Sequence, residues 1–350
     1  MAQYLIDHHG FKKLGLEVSA EPNQNGTGSS STPSAFPETR STAAGDANPE
    51  STTTITAARA SPFPGPAPAH LRHAAPTHVF ATAQELLDYV TRHWRSRWVT
   101  TDVHDEEVLD LLSRRPFFLL ISVDAPVTVR WERWRVKSGS SGSLEDFVTR
   151  SDAQLYAAAG GLLPVISRAS VRLLNTSADL AHLYATLGKL DLVDGERLRP
   201  GWDSYFMTLA SLAARRCNCM KRAVGCVLVD GVHRVVSTGY NGTPRALRNC
   251  GDGGCARCNA GDPASSGAAL ATCLCLHAEE NALLEAGRER IRPGSILYCN
   301  TCPCLTCSIK IVQVGISEVV YSQSYSMDGD TAEVFRAAGV KLRQFSPVSV

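Results

Sequence analysis

Cysteine is absent from the first 216 residues of this 350-residue chain, then occurs twelve times between Cys217 and Cys307. A disulfide scaffold spreads its bridges over a short secreted chain, so dense pairs confined to one third of a long chain point to metal instead. Long apolar runs are also missing. Stretches such as Pro116–Val123 fall far short of the roughly 20 residues that cross a bilayer, and the N-terminus has no charged-then-apolar signal layout. No membrane partner and a cytoplasmic or nuclear compartment are therefore expected. Charge of one sign is lacking too, with 35 Lys and Arg against 34 Asp and Glu, a net of +1. With no basic, aromatic-rich tract either, no nucleic-acid partner is expected. Finally, no Gly-x-x-x-x-Gly-Lys-Ser/Thr occurs anywhere, which removes the usual cradle for ATP phosphates.

What remains, 44% apolar and 20% charged, is the composition of a globular chain with room for more than one domain. Residues 19–75 are dominated by Ser, Thr, Pro, Ala and Gly. They bury too little apolar surface to offset ordering entropy and are predicted to be a disordered insertion. Beyond it the pattern predicts a helix at Ala83–Trp94, with Leu86, Leu87, Val90 and Trp94 on one face, and a strand at Phe117–Val123. Arg130, Arg133 and Arg135 follow on a predicted helix, read as a solvated face. From about Pro200 a second unit begins: a helix at Trp202–Arg216, a hairpin of Val224–Asp230 and Arg234–Gly239, and then alternating helices and strands to Arg343. That order predicts one sheet covered by helices.

The chemistry-bearing pattern is His277-Ala278-Glu279 followed by Pro303-Cys304-Leu305-Thr306-Cys307, each at a predicted helix start. Catalytic zinc takes three protein ligands and keeps an open position for water; His277, Cys304 and Cys307 supply three. A helix N-terminus favours the thiolate form of the cysteines. Glu279, two residues past His277, is placed to reach the water rather than the metal. Zinc makes its water nucleophilic near neutral pH, and Glu279 carries the proton; the histidine, glutamate and Pro-Cys-x-x-Cys pattern matches the signature of zinc deaminases, which implies hydrolytic deamination of an amino-substituted base. Alone, a Cys-x-x-Cys is a structural half-site and a His-x-Glu means little; the combination carries the reading.

From about Trp202 to Phe345 the chain resembles the deoxycytidylate (dCMP) deaminase family in its fungal form. The resemblance is carried by Val224-Gly225-Cys226, Gly239-Tyr240-Asn241-Gly242-Thr243-Pro244, Cys275-Leu276-His277-Ala278-Glu279-Glu280-Asn281-Ala282 and Cys302-Pro303-Cys304-Leu305-Thr306-Cys307. It implies a three-layer α/β/α cytidine-deaminase-like sandwich with a mixed sheet over residues 199–350. It also implies conversion of dCMP to dUMP for thymidylate synthesis, and a homo-oligomer, usually a hexamer, regulated by dCTP and dTTP with Mg2+ accompanying those nucleotides. Asn241 is expected at the nucleotide sugar, Asn281 near the sugar or base, the Ala278 and Cys304 backbone N–H groups at the pyrimidine carbonyl, and Tyr325 at the phosphate. A plain type I′ turn is the alternative for Asn241-Gly242, and packing for Tyr325. The alternatives are deamination of another cytosine or adenine substrate, nucleoside or RNA base, and a catalytically silent zinc-stabilised nucleotide sensor. Intact Glu279 argues against the sensor.

Cys219, Cys250, Cys255 and Cys273 resemble in placement the second zinc site of phage and bacterial relatives. Four thiolates close a tetrahedron, so that zinc is expected to be structural; Cys258 and Cys275 compete for the same role, and Cys226 and Cys299 are expected to be buried thiols. Residues 1–18 and 76–198 resemble more faintly a degenerate P-loop kinase-like α/β domain. On that resemblance Ala2–Phe11 is expected to follow a lost phosphate loop, through real loss or a truncated gene model.

Overall fold

The computed structural model describes residues 1–17, 74–139, 142–177, 179–260, 272–324 and 328–346. The insertion predicted at 19–75 lies, but for its last two residues, outside them. The chain divides into two units, Met1–Leu187 and Gly188–Val350.

The first unit holds helices α1 (Ala2–His9), α2 (Ala83–Arg92), α3 (Glu106–Leu112), α4 (Val127–Ser138), α5 (Leu144–Tyr156), α6 (Leu163–Ser167) and α7 (Leu180–Leu190). Its strands are β1 (Lys12–Leu16), β2 (His78–Phe80), β3 (Trp98–Thr100), β4 (Ile121–Asp124) and β5 (Val171–Leu174). All described pairings here are parallel, in two sheets, β2-β1-β3 and β4-β5. Helix α2 starts where Thr82 Oγ1 accepts from Glu85 N while the Glu85 carboxylate accepts from Ala81 N, two otherwise orphaned donors satisfied at once. Its Leu86, Leu87 and Val90 pack with Leu14 and Leu112. Trp94 does not join them: the helix stops at Arg92 and the indole is 56% exposed. The predicted strand at Phe117 begins only at Ile121, because Phe117 and Phe118 pack into the Leu86–Leu87 cluster. Of the arginines read as solvated, Arg133 and Arg135 are exposed, whereas Arg130 donates to Ser151 Oγ at 2.7 Å beside a cavity of about 330 Å³.

In the second unit, β6 (Gly225–Val229) is buried along its whole length, the mark of a strand covered on both faces. It sits inside a five-stranded mixed sheet with β7 (Val235–Tyr240), β8 (Ile296–Thr301), β9 (Glu318–Gln323) and β10 (Lys341–Gln344), in the order β10-β9-β8-β6-β7. β6 runs antiparallel to β7 and β8, while β8, β9 and β10 are parallel to one another. Successive residues of β6 point to opposite faces. Val227 and Val229 pack with Phe206, Met207 and Ala210 of α8 (Trp202–Ala214). Cys226 and Leu228 pack with α10 (Ala278–Ala286), α11 (Leu305–Val314) and Phe335 of α12 (Asp328–Ala337). A short helix α9 (Ala256–Asn259) precedes α10 in the chain. The result is the three-layer α/β/α arrangement with one described helix against one face and three against the other.

Two glycines set the closeness of those layers. A Cβ on Gly225 would lie 2.0 Å from Ala210 O, and one on Gly239 would lie 2.0 Å from Ala278 O, so α8 and α10 rest directly on strand backbone. On the α8 face, Asp203 accepts from Tyr298 Oη at 2.9 Å and from Arg343 Nη1 at 2.5 Å, and Arg343 Nε donates to Glu318 at 2.9 Å. Each fully buried apolar side chain in these layers, Phe206 and Ile311 among them, contributes about 1.5–3 kcal/mol.

Candidate active site and cysteine cluster

Helices α10 and α11 begin with His277 and Cys304 as their N-cap residues, both in extended backbone. The first N–H groups of a helix lack intrahelical acceptors and favour negative charge, and Cys307 lies in the first turn of α11. The Cys304 and Cys307 sulfurs lie 3.3 and 3.4 Å from His277 Nδ1. A tetrahedral zinc with ordinary bond lengths separates its nitrogen and sulfur ligands by roughly 3.5 Å, so the three residues fit that ion.

Between them the three donors hold protons that a bound metal would release. Hydrogen bonding from Cys307, then from His277 and Thr306, brings the Cys304 thiol down to about 3 against the opposing effect of burial. Cys307, which shares that proton, is pushed upward. The Cys304 sulfur raises His277 to about 8. Glu279 is only 3% exposed, and burial raises its carboxyl to about 7, a value suited to moving protons near neutral pH. Beneath it, Cys226 and Cys299 face each other across β6 and β8 and are fully buried. Burial raises Cys226, and the hydrogen bond to Cys226 raises Cys299, so both stay thiols.

The other residues read from the sequence fall as follows. Asn241 is buried with its Oδ1 accepting from Val224 N at 2.9 Å and its Nδ2 donating to Arg222 O at 2.7 Å. Its amide thus ties β7 to the approach to β6, whatever else it touches. Asn281 Nδ2 donates to Tyr240 O at 2.9 Å, which links α10 to the end of β7. Ala278, fully buried, opens α10. Tyr325 lies outside the described residues.

Three supporting contacts had no sequence signal. Thr331 Oγ1 donates to Pro303 O at 3.0 Å, which holds the turn that presents Cys304. Ser237 Oγ donates to Ala282 O at 2.7 Å, and Asn300 Oδ1 accepts from Gly225 N at 3.0 Å. Each is an ordinary polar residue whose partner is known only once the layers are packed.

Six further cysteines gather ahead of His277. Cys219, Cys250, Cys258 and Cys275 form one set and Cys255, Cys258, Cys273 and Cys275 another, with every sulfur in a set within 4.8 Å of the others. The quartet Cys219, Cys250, Cys255 and Cys273 is divided between the sets, because Cys258 on α9 and Cys275 stand between its members. Cys217 joins neither set. The bridge Gly242–Leu276, with N···O distances of 3.1 and 2.8 Å, fixes the peptide that runs from this cluster into His277.

Residues 200–323 match the family described as the cytidine and deoxycytidylate deaminase zinc-binding region. The class of that region is therefore that of the cytidine and deoxycytidylate deaminases. A deoxycytidylate deaminase of Schizosaccharomyces pombe is 52% identical over 270 residues, which cover 77% of this chain and 83% of the relative. That of Saccharomyces cerevisiae is 49% identical over 274 residues, 75% and 86% of the two chains. The chain belongs to the deoxycytidylate deaminase family of hydrolases. A solved dCMP deaminase from the cyanophage S-TIM5 is 26% identical and covers 42% of this chain and 99% of its own, with a TM-score of 0.33. Among the described residues no helix is long and apolar enough to cross a membrane.

Proposed function

We propose that this chain hydrolyses dCMP to dUMP and ammonia, with His277, Cys304 and Cys307 holding the catalytic zinc and Glu279 as the proton carrier. The observation that carries the reading is the grouping of His277, Cys304 and Cys307, with the two sulfurs 3.3 and 3.4 Å from the imidazole, beside the buried Glu279 carboxyl in the first turn of the helix that His277 caps. When bound, zinc supplies the Lewis acidity that makes water nucleophilic at neutral pH. Glu279 takes one proton from the incoming water and delivers it to ring N3 as the C4–O bond forms. It then moves the second proton from that oxygen to the exocyclic nitrogen, the C4–N bond breaks, ammonia leaves and the carboxylate is regenerated.

The backbone N–H groups of Ala278 and Cys304, at two helix starts, are suited to the pyrimidine carbonyl, with Asn241 and Asn281 toward the sugar and Tyr325 toward the phosphate. That the substrate is the deoxynucleotide rests on the names of the fungal relatives. From the same kinship we read a hexamer regulated by dCTP and dTTP with Mg2+, and a cytoplasmic or nuclear site. The N-terminal unit, whose described strands pair only in parallel, we read as a degenerate kinase-like α/β domain.

The test is a substrate panel of dCMP, deoxycytidine, cytidine and RNA, assayed for ammonia with and without dCTP and dTTP. Turnover confined to dCMP and modulated by the triphosphates is expected. Turnover of cytidine or RNA in its place would overturn the substrate assignment, and no ammonia from any of them would overturn the activity.

A further inference from the structure

We infer that the six cysteines ahead of His277 hold two zinc ions, not one, in a thiolate-bridged cluster in which Cys258 and Cys275 are shared. Cys219 and Cys250 complete the first tetrahedron, and Cys255 and Cys273 the second. A zinc with four thiolates at its usual bond length sets its sulfurs roughly 3.8 Å apart. The separations Cys219–Cys258, Cys258–Cys273, Cys258–Cys275 and Cys255–Cys273 are 3.8, 3.7, 3.9 and 3.9 Å. The Cys258 sulfur is therefore at a tetrahedral edge length from a terminal member of each set at once, and from the other shared sulfur. Cys258 and Cys275 are the two sulfurs that belong to both quartets, and membership of two tetrahedra is what a bridging ligand requires. These separations are also far beyond the roughly 2.05 Å of a disulfide.

A single ion accounts for the arrangement less well. It would use four sulfurs and leave two packed against its own ligands, although Cys250 and Cys255, terminal members of different sets, are both fully buried. Donors also point at the outer sulfurs of both sets. Met220 N–H and Asn259 Nδ2 approach Cys250 Sγ at 3.5 and 3.7 Å, and Leu274 N–H approaches Cys255 Sγ at 3.4 Å. Such donors stabilise metal-bound thiolates. Soft sulfur in tetrahedral sets selects zinc among the common divalent ions. Shared Cys275 is two residues from His277, so the cluster anchors the peptide that delivers the catalytic imidazole.

The test uses the full-length purified chain. Metal analysis should find three zinc ions per chain, and zinc X-ray absorption should show a metal–metal vector of about 3 Å, the separation of ions that share two sulfurs. His277→Ala should lose one ion and all turnover yet keep two ions and the vector, which separates this cluster from the deaminase reading. A total of two zinc ions, three without the vector, or iron in their place would overturn the proposal. Cys217→Ser, outside both sets, should keep all three ions.

Discussion

Replacing Gly239 with alanine tests whether the sheet positions the catalytic helix. The new Cβ would stand 2.0 Å from Ala278 O and 2.5 Å from Ala282 N. Both are backbone atoms of α10, so the first turn of that helix must retreat by on the order of 1 Å to restore ordinary contact. That turn carries His277 and Glu279. A shift of about 1 Å at a reacting group costs about 10²-fold in rate, roughly 2.7 kcal/mol of activation free energy. Overpacking should cost about 1–3 kcal/mol of stability besides. The control is Gly225→Ala, whose Cβ would meet Ala210 O at 2.0 Å and Ala214 N at 2.3 Å and push α8 on the opposite face. Steady-state ammonia release from dCMP, run beside thermal unfolding, should show similar stability losses in the two variants but a large fall in kcat only for Gly239→Ala. Equal kcat losses, or wild-type turnover in Gly239→Ala, would refute the reasoning.

Other parts of the molecule give further expectations. Hydrogen bonding to Arg343 holds the Asp203 carboxyl below its ordinary value, so this group's stabilisation is complete above about pH 4 and is lost as pH falls through the folded value. Asp203→Asn should flatten that acid limb of stability against pH and, for a pair about one-third exposed, cost about 1–2 kcal/mol at pH 7. Thr331→Val removes the donor to buried Pro303 O and should destabilise by about 1–3 kcal/mol in denaturant titration. Lys310→Met breaks the 2.6 Å pair with Glu280, whose side chain is 27% exposed, and should cost about 1 kcal/mol in denaturant titration.

The grouping of His277, Cys304 and Cys307 was legible in the sequence because its parts are local. His277 and Glu279 share one helix start, Cys304 and Cys307 another, and the chemistry of three ligands and a carboxylate depends on little more than those spacings. Helix and strand order in the second unit was legible for a similar reason, since β6 and α10 state their burial in their own residues. Assignments that depend on how elements meet were not. The division of six thiols into two overlapping sets depends on where α9 places Cys258. Likewise the two backbone hydrogen bonds of the Asn241 amide depend on where the end of β7 meets the approach to β6. Phe117 and Phe118 carry strand-forming side chains but are drawn into a core built from α2 and α3. Trp94 has the right spacing for the α2 face and falls just past the helix end. Residues 19–73 of the Ser/Thr/Pro/Ala-rich stretch and Tyr325 lie outside the described residues.

The central claim is that Glu279 moves the protons while His277, Cys304 and Cys307 hold the metal, and Glu279→Gln tests it most directly. Loss of a general acid–base costs about 10²–10⁴-fold, and glutamine keeps the size of the side chain. Ammonia release from dCMP should fall by at least that factor while the zinc content per chain matches the wild type. Turnover within a few-fold of wild type at unchanged zinc would contradict the account.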